Sequence, residues 1–243
     1  MRHYRIRTED QVLEQKEGAS DELAIDYFDS YCSTARVDSS LLLEVLAGGR
    51  WKRIAASGEG ERQGTLRVMI LGDSLAGGYY ASVVERGFAA RVLDSLGRSR
   101  PVDRVEVSHP GGTTRAATYG REVPADLDVV VVELGTNDSL RTPPWRFART
   151  YDALLKRIRD ASPEAHMVCL GLWRQTWRAS IYDRIIRRSC ERHEADFRRL
   201  SDIYERSGVR GPADVPVQHG RSDTFHPNDH GHQLIAERVM SAL

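Results

Sequence analysis

A chain of 243 residues with 40% hydrophobic and 29% charged side chains has the balance of one large globular domain with room for a modest appendage. Formal net charge is zero, so no global field draws the protein to nucleic acid or to an anionic membrane, and neither partner is expected. Lysine occurs only at Lys16, Lys52 and Lys156, a bias towards arginine read as genome base composition rather than as selection for phosphate binding.

The first residues, MRHYRIRTEDQVLEQKEG, contain no apolar core of the length a signal peptide requires. No window reaches the apolar length of a membrane span. Cys32, Cys169 and Cys190 are an odd, scattered set without metal-type spacing, which suggests free thiols in a reducing compartment. A cytoplasmic location is the expectation.

Residues 1–65 are read as an N-terminal extension and residues 66–243 as the main domain. Within the extension, LAIDYFDSYCSTARV (23–37) looks like strand material. LLLEVLAGGRWKRIA (41–55) reads as a hairpin turning at Gly48-Gly49. A competing reading makes SSLLLEVLAGG a short helix capped by Ser40. SGEGERQGT (57–65) is the linker. The extension is small for an independent module, so it is expected to pack on the main domain or on a second subunit, the latter giving a homo-oligomer.

From Arg67 onward, short apolar runs alternate with segments of helical period. RVMIL (67–71) precedes a helix over 79–97, RVEVS (104–108) follows, and LDVVVVELG (127–135) is the most strand-like run of the chain. A helix over 145–161 leads to HMVCLGL (166–172), a long charged helix spans 181–207, and ADVPVQ (213–218) reads as a weak strand before a last helix, 231–243. Uninterrupted β-branched runs bounded by helices argue for parallel strands covered on both faces. The expected architecture is a flavodoxin-like, doubly wound α/β/α sandwich whose strand ends share one edge.

That edge carries the chemistry. The strand ends read Gly72-Asp73-Ser74-Leu75, HPGGTT (109–114) and Gly135-Thr136-Asn137-Asp138, and DTFHPN (223–228) precedes the last helix. Each alone is explained by a cap or a turn. The four together, in this order, resemble the SGNH hydrolase superfamily, the GDSL esterases and lipases, from Arg67 to the C-terminus. The resemblance implies a five-stranded parallel sheet and assigns Ser74 as nucleophile, His226 as base and Asp223 as its orienting carboxylate. It implies an oxyanion hole from the Ser74 N–H, the Gly112 N–H and the Asn137 side chain, with Gly111 as the competitor to Gly112.

Trp173, Arg174 and Trp177 follow the fourth strand, and Trp173 and Arg174 are candidates to bind substrate together with Tyr79. Arg115 and Arg141 read as solvated surface. His226, His230 and His232 lie close in sequence, but Pro227 and the helix start turn the rings apart, so no metal is expected. The resemblance implies no cofactor. The expected activity is hydrolysis of a short acyl ester, such as an acetyl ester, on a small soluble molecule. The alternatives are transfer of the same acyl group to an alcohol, and a non-catalytic binding protein.

Overall fold

The computed structural model describes residues 1–7, 11–34, 41–47, 50–56 and 65–243. They divide into two compact units, Met1–Thr65 and Leu66–Leu243. The turn assigned to Gly48-Gly49, residues 35–37 of the first expected strand and residues 57–64 of the linker lie outside the described residues.

In the first unit, strands β1 (Arg2–Arg7), β2 (Val12–Gly18), β3 (Leu42–Ala47) and β4 (Arg50–Ala56) form an antiparallel sheet in the order β2-β1-β3-β4. The strands β3 and β4 pair as the expected hairpin arms, which sets aside the helical reading. Alternation puts Tyr4 and Ile6 of β1 and Leu43 and Val45 of β3 into one small core. The segment expected as a strand from Leu23 is instead part of a helix, Asp21–Thr34. Its apolar anchors Ala24 and Phe28 recur four residues apart, which suits a helical face, and Ser20 Oγ accepts the Leu23 N–H at 3.3 Å.

The second unit is the α/β/α sandwich. Strands β5 (Leu66–Gly72), β6 (Val102–Ser108), β7 (Val129–Glu133), β8 (His166–Leu170) and β9 (Asp196–Arg198) are all parallel, in the order β6-β5-β7-β8-β9. Alternate side chains serve two cores. Val68, Ile70, Val131 and Leu170 meet the layer that holds the helices Phe88–Gly97 and Asp229–Met240. Met69, Leu71, Val130, Val132 and Met167 meet the layer of the helices Pro144–Ala161 and Thr176–Arg192. No described helix is long and apolar enough to cross a membrane.

Three expected boundaries are corrected. The helix expected from Tyr79 begins only at Phe88, after a turn in which Tyr80 takes φ 67° and a short 3₁₀ segment, Val84–Arg86. The long charged helix ends at Arg192, and the fifth strand β9 falls inside the range assigned to it. The ADVPVQ segment contributes only the two-residue strand β10 (Pro216–Val217), paired with β11 (Gly220–Arg221).

Register places the functional edge. Gly72 pairs with both Ser108 and Glu133, so β5, β6 and β7 end level and release their loops at one rim. The β8 end is held from below by Asp183, whose Oδ1 accepts the Leu172 N–H at 2.9 Å. Burial pushes this carboxyl up to about 6, against the Leu172 N–H and the charges of Arg199 and Arg187.

A folded value above the unfolded 3.8 means that the Asp183 penalty is fully present above pH 6 and fades as pH falls towards 3.8. Asp183→Asn keeps the acceptor and removes the titration. It should be more stable than the parent at pH 7.5 by on the order of 1–3 kcal/mol, a difference that closes below pH 4. Denaturant unfolding at the two pH values checks this, and an equal difference at both would contradict it.

Candidate active site

The turn after β5 carries Ser74. The Gly77 N–H donates to Asp73 O at 3.1 Å and the Tyr79 N–H to Ser74 O at 2.9 Å, winding the chain tightly just past the strand. The turn sits against Glu133 at the end of β7, whose Oε2 accepts the N–H groups of Asp73 at 3.2 Å and Ala76 at 3.3 Å. Gly72 is required at this approach, because a Cβ there would lie 2.5 Å from Ala76 Cβ and 2.8 Å from Glu133 Oε2.

Ser74 Oγ lies 3.0 Å from His226 Nε2, and His226 Nδ1 lies 2.8 Å from Asp223 Oδ2. The carboxylate can only accept, so Nδ1 carries the proton and Nε2 is left to accept from the serine hydroxyl. Asp223 is itself pinned, its Oδ1 accepting the N–H groups of Phe225 at 2.9 Å and His226 at 2.8 Å. Partial burial opposes its charge, but the His226 N–H, the imidazole and the Phe225 N–H outweigh that and hold the carboxyl below its usual range. Asp223, Ser74 and His226, expected from distant parts of the sequence, thus form one hydrogen-bonded chain.

Asn137 stands beside it. Its Nδ2 donates to Asp73 Oδ2 at 2.8 Å, and this fixed acceptor settles which end of the amide is nitrogen. One of the two N–H bonds is used there, and the other remains for the cavity that Asn137 lines. The Ser74 N–H has no acceptor among the described residues. Gly112, expected as the further donor, is corrected. Its N–H donates to His109 O at 2.8 Å, closing a turn in which Gly111 takes φ 71°. Gly111, not Gly112, lines the cavity, and its carbonyl accepts from Arg141 Nη1 at 2.7 Å.

Two buried acids beneath this site were not picked out from the sequence. Asp73 and Glu133 are both buried. Desolvation pushes both carboxyls up, and Glu133 goes further because it also faces the Asp73 charge. The directions of the shifts favour a proton on Glu133 over one on Asp73. Asp73 then keeps a charge that accepts from Asn137 and, at 3.2 Å, from the Leu75 N–H. The signal for Glu133 was a lone acid closing an otherwise apolar strand run.

Asp138 is likewise structural, its Oδ2 accepting from Thr114 N at 2.7 Å and Thr114 Oγ1 at 2.9 Å. Both His232 nitrogens are engaged by backbone, Nδ1 accepting from Phe88 N and Nε2 donating to Tyr79 O. Burial pushes that imidazole down to about 4.

The cavity over Ser74 has a volume of about 380 Å³, and Tyr79, Tyr80, Thr136, Leu140, Arg174 and Phe225 complete its wall. Tyr79 is stacked on His219, with ring centroids 4.2 Å apart. Trp173 is corrected: it is fully buried, edge-on to Tyr204, and its Nε1 donates to Phe225 O at 2.7 Å. It anchors the segment carrying His226 instead of touching the cavity. Trp177 is exposed beside Arg178. A larger cleft of about 550 Å³ lies beside Arg115, Arg146 and Arg149, but no serine, cysteine or histidine lines it.

The GDSL-like lipase/acylhydrolase family model matches residues 70–234, which contain all four strand-end motifs. No curated protein sequence matches the chain significantly. Among solved structures, the fold is similar to that of a two-domain esterase active on acetylated mannans, at 19% identity and a TM-score of 0.56. That match covers 76% of this chain but only 50% of the two-domain esterase, so this chain spans half of that relative. It is also similar to the esterase EstA from Pseudoalteromonas sp., at 20% identity over 72% of this chain and 95% of EstA, with a TM-score of 0.55. A family two carbohydrate esterase from Clostridium thermocellum matches 99% of this chain and 84% of its own length at 15% identity, with a TM-score of 0.56. At such identities the likeness is one of fold. With the family model spanning well over half of its residues, the chain belongs to the GDSL-like lipase/acylhydrolase family, the SGNH hydrolases, and is a carboxylic ester hydrolase.

Proposed function

We propose that the protein removes a short acyl group, such as acetyl, from a small ester through an acyl-enzyme on Ser74. The observation that carries this reading is the continuous chain from Ser74 Oγ through His226 to Asp223, with contacts of 3.0 and 2.8 Å.

A serine hydroxyl is scarcely ionised at neutral pH and needs a base within hydrogen-bond reach. In the proposed cycle His226 Nε2 takes the proton as Ser74 Oγ bonds to the ester carbon. Asp223 stabilises the imidazolium that results and keeps Nε2 aimed at the serine. Negative charge moves onto the former carbonyl oxygen, where the Ser74 N–H and the free Asn137 N–H receive it. Gly111, whose N–H has no acceptor among the described residues and which lines the same cavity, serves as third donor in place of Gly112. The tetrahedral centre collapses and the C–O bond to the alcohol breaks, with His226 giving its proton to the departing oxygen. Water then repeats the sequence: His226 takes its proton, its oxygen bonds to the acyl carbon, and the acid leaves as Ser74 recovers its hydrogen.

A cavity of about 380 Å³ with a mixed wall of tyrosines, Thr136, Leu140 and Arg174 suits a compact substrate better than a long alkyl chain. One fold relative is an esterase active on acetylated mannans, which accords with removal of an acetyl group.

Two outcomes test the reading. Ser74→Ala should lower kcat on p-nitrophenyl acetate by roughly 10⁴-fold or more and abolish labelling by a fluorophosphonate. Retained activity or continued labelling would contradict it. Asn137→Ala should lower kcat by roughly 10²–10³-fold with KM little changed, because its free N–H meets charge that exists only in the transition state. A loss confined to KM would remove Asn137 from that role.

A further inference from the structure

In the second unit Arg174 and Arg210 both set a guanidinium over an aromatic ring and bury an unpartnered Nε, but Arg210 Nη1 donates to Thr224 O and only Arg174 lines the cavity over Ser74. Most of the unit's arginines either reach an acid or lie in solvent: Arg67 pairs with Asp103, Arg86 with Asp229, Arg192 with Asp152 and Arg238 with Asp202. Arg174 lines the cavity over Ser74, yet its guanidinium meets no carboxylate among the described residues, and the lining contains no Asp or Glu. Its Nε is buried without a hydrogen-bond partner among the described residues. Its guanidinium carbon lies 4.7 Å from the centroid of the Phe225 ring. A guanidinium set against a ring on one face keeps its Nη groups for the oxygens of a carboxylate or phosphate.

We propose that the ester substrate carries an anionic group, a carboxylate or a phosphate, which Arg174 binds in the cavity beside Ser74 and His226. This rests on the serine-hydrolase reading above and adds the charge of the substrate to it. The physical reason is the cost of the unbound state. A partly buried cation without a counter-ion is unfavourable, and burial already presses the Arg174 guanidinium below its ordinary value, with Arg178 adding to that pressure. A neutral ester would leave this charge unpaired through the whole reaction. An anionic one pairs it at the moment of binding, and the paired group is then fixed relative to Ser74 Oγ. Arginine abundance alone accounts for solvated guanidiniums, but not for one stacked in the catalytic cavity with an unpartnered Nε.

The test compares esters of matched size on the full-length protein. p-Nitrophenyl hemisuccinate against p-nitrophenyl butyrate places the charge on the acyl half. 4-Acetoxybenzoate against its methyl ester places a carboxylate on the alcohol half, and 4-acetoxyphenyl phosphate places a phosphate there. The expected result is a kcat/KM at least roughly tenfold higher for the anionic member of one of these comparisons, as for other charge-assisted hydrogen bonds. Arg174→Gln should bring that ratio close to one, and Arg174→Lys should restore part of it. A second readout needs no turnover: at fixed ionic strength, benzoate or phenyl phosphate should raise the Tm of the Ser74→Ala protein and lose that effect when Arg174→Gln is added.

Neutral esters hydrolysed as well as every anionic partner, or a ratio unmoved in Arg174→Gln, would overturn the inference and leave the serine-hydrolase reading standing. Absence of hydrolysis in both classes together with an unlabelled Ser74 would instead overturn that reading. A Tm shift absent with both anions would overturn the inference by itself.

Discussion

The site hangs on one buried carboxyl group. Glu133 closes β7 level with Gly72 of β5, and from there its Oε2 receives the N–H groups of Asp73 and Ala76. That contact fixes the turn that lifts Ser74 above the sheet. Through Asp73 the same contact reaches Asn137, whose amide is held at 2.8 Å. Ser74 and Asn137 are thus referred to a single point on the sheet. Backbone flanking the turn leaves no room for an alternative, since a Cβ at position 72 would meet both Glu133 and Ala76. Burial pushes the Glu133 carboxyl well up, and the neighbouring Asp73 charge adds to that push.

Charge around the cavity is arranged in layers. Asp73 stands behind Asn137 and Asp223 behind His226, each carboxylate orienting a neutral group that does the contacting. Neither acid lines the cavity itself, whose one permanently charged wall group is Arg174. The arrangement separates two tasks that a single charge could not perform together. Negative groups set tautomer and amide orientation from the rear, outside the cavity wall. A positive group remains in front, available to whatever the substrate brings.

Much of this was legible in the sequence because it rests on local pattern. Uninterrupted apolar runs such as Val129–Val132 argued for parallel strands covered on both faces, and the motifs marked the common rim. What was missed lies where periodicity carries little information. Strand β9 is three half-buried residues, Asp196–Arg198, on the sheet edge, too short and polar to interrupt a helical pattern. The Asp21–Thr34 helix is rich in aromatic and β-branched residues, so propensity favoured a strand until Ala24 and Phe28 found a sheet to pack on. Trp173 read as a mouth residue by position, but side-chain direction after β8 sends it into the core. Gly112 failed for a related reason: the spacing located the turn correctly, while which of two adjacent N–H groups faces outward depends on the dihedral angles of Gly111.

The central claim is that one hydroxyl, one imidazole and a set of preformed donors converge on a single reacting carbon. A crystal structure of the protein after reaction with a methylphosphonate ester tests it most directly. The account predicts phosphorus bonded to Ser74 Oγ, with its phosphoryl oxygen in hydrogen-bond contact with the Ser74 N–H and Asn137 Nδ2 and His226 still joined to Asp223. Phosphorus on another residue, or a phosphoryl oxygen turned to solvent away from Asn137, would contradict it.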